Sequence, residues 1–152
     1  MKHHLLSSFA TLIALISFYS CNSGHWEIES EYYNIYYAKD GSSVLICSLE
    51  SAGFPGEYLF GVSTTQGKFD FEYIPFYGSL VKGSINLYKG GKQVDEFVGY
   101  LNPGEGESTA VVNEGGKIVY DHLKEEGSIR IIIPRRDMEP FDLTIPQFPD
   151  MK

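Results

Sequence analysis

From Trp26 onward the chain alternates apolar and polar residues with a period of two, broken by glycine- and proline-bearing turns. A strand points successive side chains to opposite faces, so this rhythm predicts half-buried β-strands. Trp26 and Ile28 alternate with Glu27 and Glu29. Tyr33, Ile35 and Tyr37 share one face, with Tyr32, Asn34 and Tyr36 on the other. Asp40-Gly41 is a tight hairpin signal, and Val44 to Leu49 forms the next strand. Gly53-Phe54-Pro55-Gly56 marks a turn, after which Tyr58, Phe60 and Val62 alternate. Phe69, Phe71 and Tyr73 alternate with Asp70 and Glu72 until Pro75 and Gly78. Val81, Ile85 and Leu87 lead to a second hairpin turn at Gly90-Gly91. Val94, Glu96, Val98 and Tyr100 oppose Phe97 and Leu101, and Asn102-Pro103-Gly104 ends that strand. Thr109 to Val112 is a short strand.

One stretch departs from this rhythm. Ile118, Val119, His122 and Leu123 fall on one helical face, and Gly127 stands where a helix C-cap is expected. Ile129, Ile131, Ile132 and Ile133 then form the most apolar strand, expected at the centre of the sheet and ended by Pro134. Arg135-Arg136-Asp137 turns, and Phe141, Leu143 and Ile145 pair back until Pro146. Short strands at roughly ten-residue spacing with one helix predict a mainly β fold. The expected form is an antiparallel β-sandwich, immunoglobulin-like or jelly-roll-like, of eight to nine strands with one short helix near 116–126. A single helix cannot supply repeated strand–helix–strand crossovers.

The first twenty residues read differently. Met1-Lys2-His3-His4 precedes an uncharged, mostly apolar run from Leu5 to Phe18, and Tyr19-Ser20-Cys21 follows. A basic start, an apolar stretch and a small residue at a cleavage point make a secretory signal peptide. The run is shorter than the roughly twenty residues a membrane-spanning helix needs. Ser20-Cys21 at its end resembles the lipobox of bacterial lipoproteins, with Phe18 and Tyr19 bulkier than that family's usual residues. The resemblance implies that Cys21 carries lipid and becomes the first mature residue. It further implies, with Asn22 rather than aspartate after the cysteine, an outer-membrane anchor facing the periplasm. The expected organisation is a signal peptide at 1–20, a lipidated tether at 21–25, one domain at 26–148 and a tail at 149–152. Loss of residues 1–20 removes Lys2 and no carboxylate, leaving 11 Lys+Arg against 20 Asp+Glu on 132 residues.

Trp26, a strand ending in Cys47, and Leu123-Lys124-x-x-Gly127 before an apolar strand resemble small secreted β-sandwich domains of the invasion-associated locus B type. That likeness supports the sandwich.

The balance of 12 Lys+Arg to 20 Asp+Glu, a net charge of −8, argues against nucleic acid as partner. It also argues against adhesion to anionic lipid through a basic patch. Catalysis needs converging acid, base, nucleophile or metal groups. After the leader only His25 and His122 remain as histidines, and His122 lies on the apolar helix face. No Gly-x-Ser-x-Gly elbow and no close His/Cys ligand spacing is present. We expect no catalytic residue, no metal ligand and no cofactor. A small hydrolase built around His122 is the alternative. Gly104-Glu105-Gly106-Glu107-Ser108 could offer oxygen ligands to calcium, and it also reads as a solvated acidic turn. Cys47 reads as a buried, inert thiol.

The aromatic excess is the remaining feature. Tyr32, Tyr36, Phe54, Phe76 and Tyr77 are the candidate binding surface, since both faces of the first tyrosine-rich strand are aromatic and the others sit in loops. Tyrosine offers contact area with a hydroxyl handle, which suits recognition. A cross-strand tyrosine ladder is the structural alternative. The expected function is a non-catalytic envelope lipoprotein that binds a protein or a saccharide.

Overall fold

The computed structural model describes residues 24–30, 32–112 and 115–150. These contain strands β1 (His25–Ser30), β2 (Tyr33–Tyr37), β3 (Ser43–Ser48), β4 (Tyr58–Ser63), β5 (Glu72–Ile74), β6 (Gly78–Lys89), β7 (Lys92–Gly104), β8 (Gly106–Val112), β9 (Ile129–Arg135) and β10 (Met138–Ile145). One α-helix, α1 (Gly116–Glu125), and a 3-10 turn at Glu50–Ala52 complete them. The expected leader and Cys21, the expected lipidation site, lie outside the described residues.

All pairings are antiparallel, in the order β1-β2-β3-β4-β8-β7-β6-β9-β10, with β5 added to β6. The ladder is one continuous sheet curled into an open half-barrel, where strand spacing alone predicts two stacked sheets. β7 makes it continuous. It pairs with β6 from Lys92 to Leu101, then with β8 from Asn102 to Gly104. Asn102-Pro103-Gly104 therefore carries the strand across a register shift instead of ending it. A proline is tolerated at such an irregularity because the ladder is already interrupted.

Alternation becomes burial strand by strand. Val44 and Ile46 of β3, Phe60 and Val62 of β4, and Ile129, Ile131 and Ile133 of β9 have no exposed surface. Full burial of such a side chain contributes about 2 kcal/mol each from the apolar area withdrawn from water. These residues form one cluster shared by both halves of the sheet. β9 is thus as apolar as expected, but it lies next to the β10 edge rather than at the centre. It owes its apolarity to facing the concave side, and it runs through Pro134 to Arg135.

The hairpin signals hold. Gly90 and Gly91 both have positive φ (58° and 75°), the pair of left-handed residues that a two-residue turn between twisted strands requires. At Asp40-Gly41, the Gly41 amide donates to the Ala38 carbonyl at 3.0 Å and the Ser42 amide to Asp40 Oδ1 at 2.8 Å. The Phe69–Tyr73 run forms less strand than its alternation predicts. Only Glu72–Ile74 pairs with β6, and Phe69 makes a single bridge to Arg135 while its ring is fully buried.

An aromatic seam draws the two ends of the sheet together. Trp26 of β1 donates its indole N–H to the Pro146 carbonyl at 3.1 Å. Its ring packs edge-on against Phe148 at 4.6 Å and Tyr36 at 5.3 Å. Phe148 also meets Tyr120 of α1, which stacks on Tyr58 of β4 at 4.5 Å. The Phe148 amide donates to the Leu123 carbonyl at 2.9 Å. Edge-to-face and offset geometries of this kind add to the area burial of each ring.

Candidate binding groove

Between β7 and α1 the curled sheet leaves an apolar groove of about 580 Å³. Its floor is Ile85, Phe97, Leu101 and Val119, continuous with the core. Its rim is Tyr77, Val98, Tyr100 and Ile118, between 50% and 76% exposed. The volume falls within the range of small-molecule and peptide sites. No lining side chain is charged, and Asn102 with the two tyrosine hydroxyls supplies the polar groups.

The five aromatic residues singled out from sequence separate in space. Tyr77 lies on the groove rim. Tyr32 borders a small hollow with Ser48, Glu50 and Ser51. Phe54 and Phe76 are exposed without lining either. Tyr36, expected on a surface, is buried at 7% exposure. The reason is register: Tyr36 pairs with Trp26 on one side and Val44 on the other, on the concave face. That burial also pushes its hydroxyl pKa up. Of that strand, Tyr33 is the more exposed tyrosine.

Val98, Tyr100 and Ile118 escaped the sequence reading. Their signal was present in β7, where Val94, Val98 and Tyr100 oppose Phe97 and Leu101. A strand apolar on both faces, yet without a partner along one edge from Lys92 to Leu101, is one whose second face or edge is meant to be covered. Ile118 was assigned to the buried helix face, but it stands half exposed at the groove.

His122 is buried in a wholly different place. Its Nε2 lies 3.0 Å from the Tyr88 carbonyl and 3.1 Å from the Ser128 carbonyl. Both neighbours are acceptors only, so Nε2 carries the hydrogen and donates it. Nδ1 sits 3.7 Å from the Glu126 carboxylate. The imidazole therefore ties the end of α1 to the β6 and β9 ends. Gly127 belongs to the same corner. It is not in the left-handed conformation of a C-cap; instead a Cβ there would collide with the Tyr88 carbonyl.

Glu107, expected in a solvated loop, lies in β8 and receives Lys68 Nζ at 2.9 Å and Arg136 at 3.3 Å. The Lys68 hydrogen bond, then the Arg136 charge, hold its carboxyl below the usual range. Its charge is thus matched by two cations. Cys47 is a free, half-buried thiol, and burial raises its pKa, which suppresses the reactive thiolate.

Comparison with known proteins finds no matching family model, no similar curated protein and no similar solved structure.

Proposed function

We propose that this chain is a non-catalytic binding or assembly module of the cell envelope, with the groove between β7 and α1 as its docking site. The groove is the observation that carries this reading: an uncharged apolar cleft, rimmed by exposed tyrosine, valine and isoleucine. Exposed apolar surface of this kind costs solubility unless a partner covers it. A protein partner fits better than a saccharide, because sugar hydroxyls need many hydrogen-bonding groups and the lining offers few. The hydrolase alternative is weakened by His122, whose Nε2 hydrogen is committed to two carbonyls.

Ile118→Asp tests the groove. Ile118 is half exposed, so the substitution should leave stability within about 0.5 kcal/mol. The full chain purified from solubilised membranes should retain a partner that the Ile118→Asp chain loses. The same set of co-purifying proteins from both chains would refute the docking site.

The anchor rests on the leader. We read Cys21 as the lipidated residue and the outer membrane, periplasmic side, as the location. One acyl chain binds a bilayer only marginally and several bind stably, so the two or three chains of the lipoprotein family would suffice. Metabolic labelling with a radioactive fatty acid should mark the wild type and leave Cys21→Ala unmarked. Equal labelling of both would remove the anchor from this reading. We also read the two halves of the curled sheet as the layers of a sandwich, the arrangement implied by the likeness to invasion-associated locus B domains.

A further inference from the structure

We infer that the groove is filled by an extended segment of a partner protein, which adds as a strand to the open edge of β7. This deepens the groove reading above and rests on it.

Three observations converge. The first is the ladder. From Lys92 to Leu101 β7 has β6 on one side, and among the described residues no strand pairs its other side. Backbone groups of successive residues in a strand point to opposite edges, so those of every second residue share an edge. The Glu96 amide bonds the neighbouring Asp95 Oδ1 at 2.8 Å, a side-chain substitute for a missing strand partner. Six residues on, Asn102 pairs with β8 on the side away from β6. Val98 and Tyr100 lie between these two at the same parity, so their N–H and C=O groups face the open edge.

The second is Gly99. Its φ lies outside the left-handed region, and a Cβ built there would meet nothing within 4 Å. Neither backbone conformation nor crowding inside the described structure explains a glycine here. A glycine within a strand suits the close approach of another backbone.

The third is chemistry along that edge. Natural proteins protect open edges with charge, proline or a covering element. Here Val94, Val98 and Tyr100 are more than half exposed, and the groove beside them offers apolar floor for alternate side chains of an added strand. Main-chain bonds to an edge with pockets for every second side chain are the pattern of strand addition. Lys92, Asp95 and Glu96 are the charged residues of β7, a net of −1 along that edge in a chain of net charge −8. The incoming strand is therefore alternately apolar and neutral or basic. A second copy of this chain would bring a like charge to the same edge.

The test is a selection of displayed random twelve-residue peptides on the full chain. Peptides of alternating apolar and polar or basic residues should be enriched. Val98→Pro deletes one outward N–H and leaves the β6 ladder intact, so it should weaken these peptides about tenfold or more. N-methylation of alternate amides in the peptide should do the same without touching the protein, which decides the matter even if Val98→Pro folds poorly. Ile118→Asp should also abolish binding. Peptides that are lost with Ile118→Asp but indifferent to Val98→Pro and to N-methylation would overturn strand addition and leave the groove standing. Peptides indifferent to all three changes, or no enrichment at all, would overturn both. A concentration-dependent dimer dissolved by Val98→Pro would assign the edge to a second copy and overturn the partner strand.

Discussion

Gly127→Ala is expected to destabilise the protein by about 3 kcal/mol, the upper range for forcing atoms into filled space. The added methyl would meet the Tyr88 carbonyl oxygen and, beyond it, the backbone of Lys89. Backbone cannot rotate away as a side chain can. The Tyr88 carbonyl also accepts from His122 Nε2, so moving it loosens the corner where α1 meets β6 and β9. Urea unfolding followed by Trp26 emission measures the effect. A loss below about 1 kcal/mol would mean that the α1–β9 connection relaxes freely, and the close approach would not be the reason for glycine.

The second large effect is expected at Phe148. It is 7% exposed, and its ring touches Trp26 and Tyr120 while its amide bonds the Leu123 carbonyl. Phe148→Ala removes the ring that bridges β1 to α1, so a loss of about 4 kcal/mol is expected, typical of a buried phenylalanine truncated to alanine. Trp26 is the single tryptophan, and in the folded variant its emission should shift toward that of a solvated indole. Wild-type stability, with an unchanged emission maximum, would show that the seam contributes nothing to holding the sheet curled.

Local chemistry was legible in the sequence. The hairpins at Asp40-Gly41 and Gly90-Gly91, the alternation of β3, β4 and β9, and the helix over Gly116–Glu125 all depend on neighbours a few residues away. What depended on distant neighbours was not. Tyr32 to Tyr37 are aromatic on both faces, so only pairing with Trp26 and Val44 decides that Tyr36 goes inward. The passage of β7 through Pro103 depends on β8, whose pairing is set by the curl rather than by the turn residues. Gly127 looked like a cap because its position after a helix is where caps occur. Its actual constraint is a carbonyl from a strand far earlier in the chain. The groove was half visible: Tyr77 was found as a loop aromatic, whereas Val98 and Ile118 looked like ordinary strand and helix residues until β7 lost its partner on one side.

The indole bond from Trp26 to Pro146 joins residues 120 positions apart. Such a contact cannot form until every strand from β1 to β10 has been made, because its acceptor follows β10. β1 and β2 can pair early, but the concave face of β1 stays uncovered until Phe148 arrives. Order of synthesis and order of closure therefore run in the same direction, with the seam closing after the last strand of the sheet. Contacts of such separation slow folding, since a long loop must be closed before it is rewarded. Glu27 and Glu29, on the outward face of β1, place charge beside the sheet edge that β1 forms.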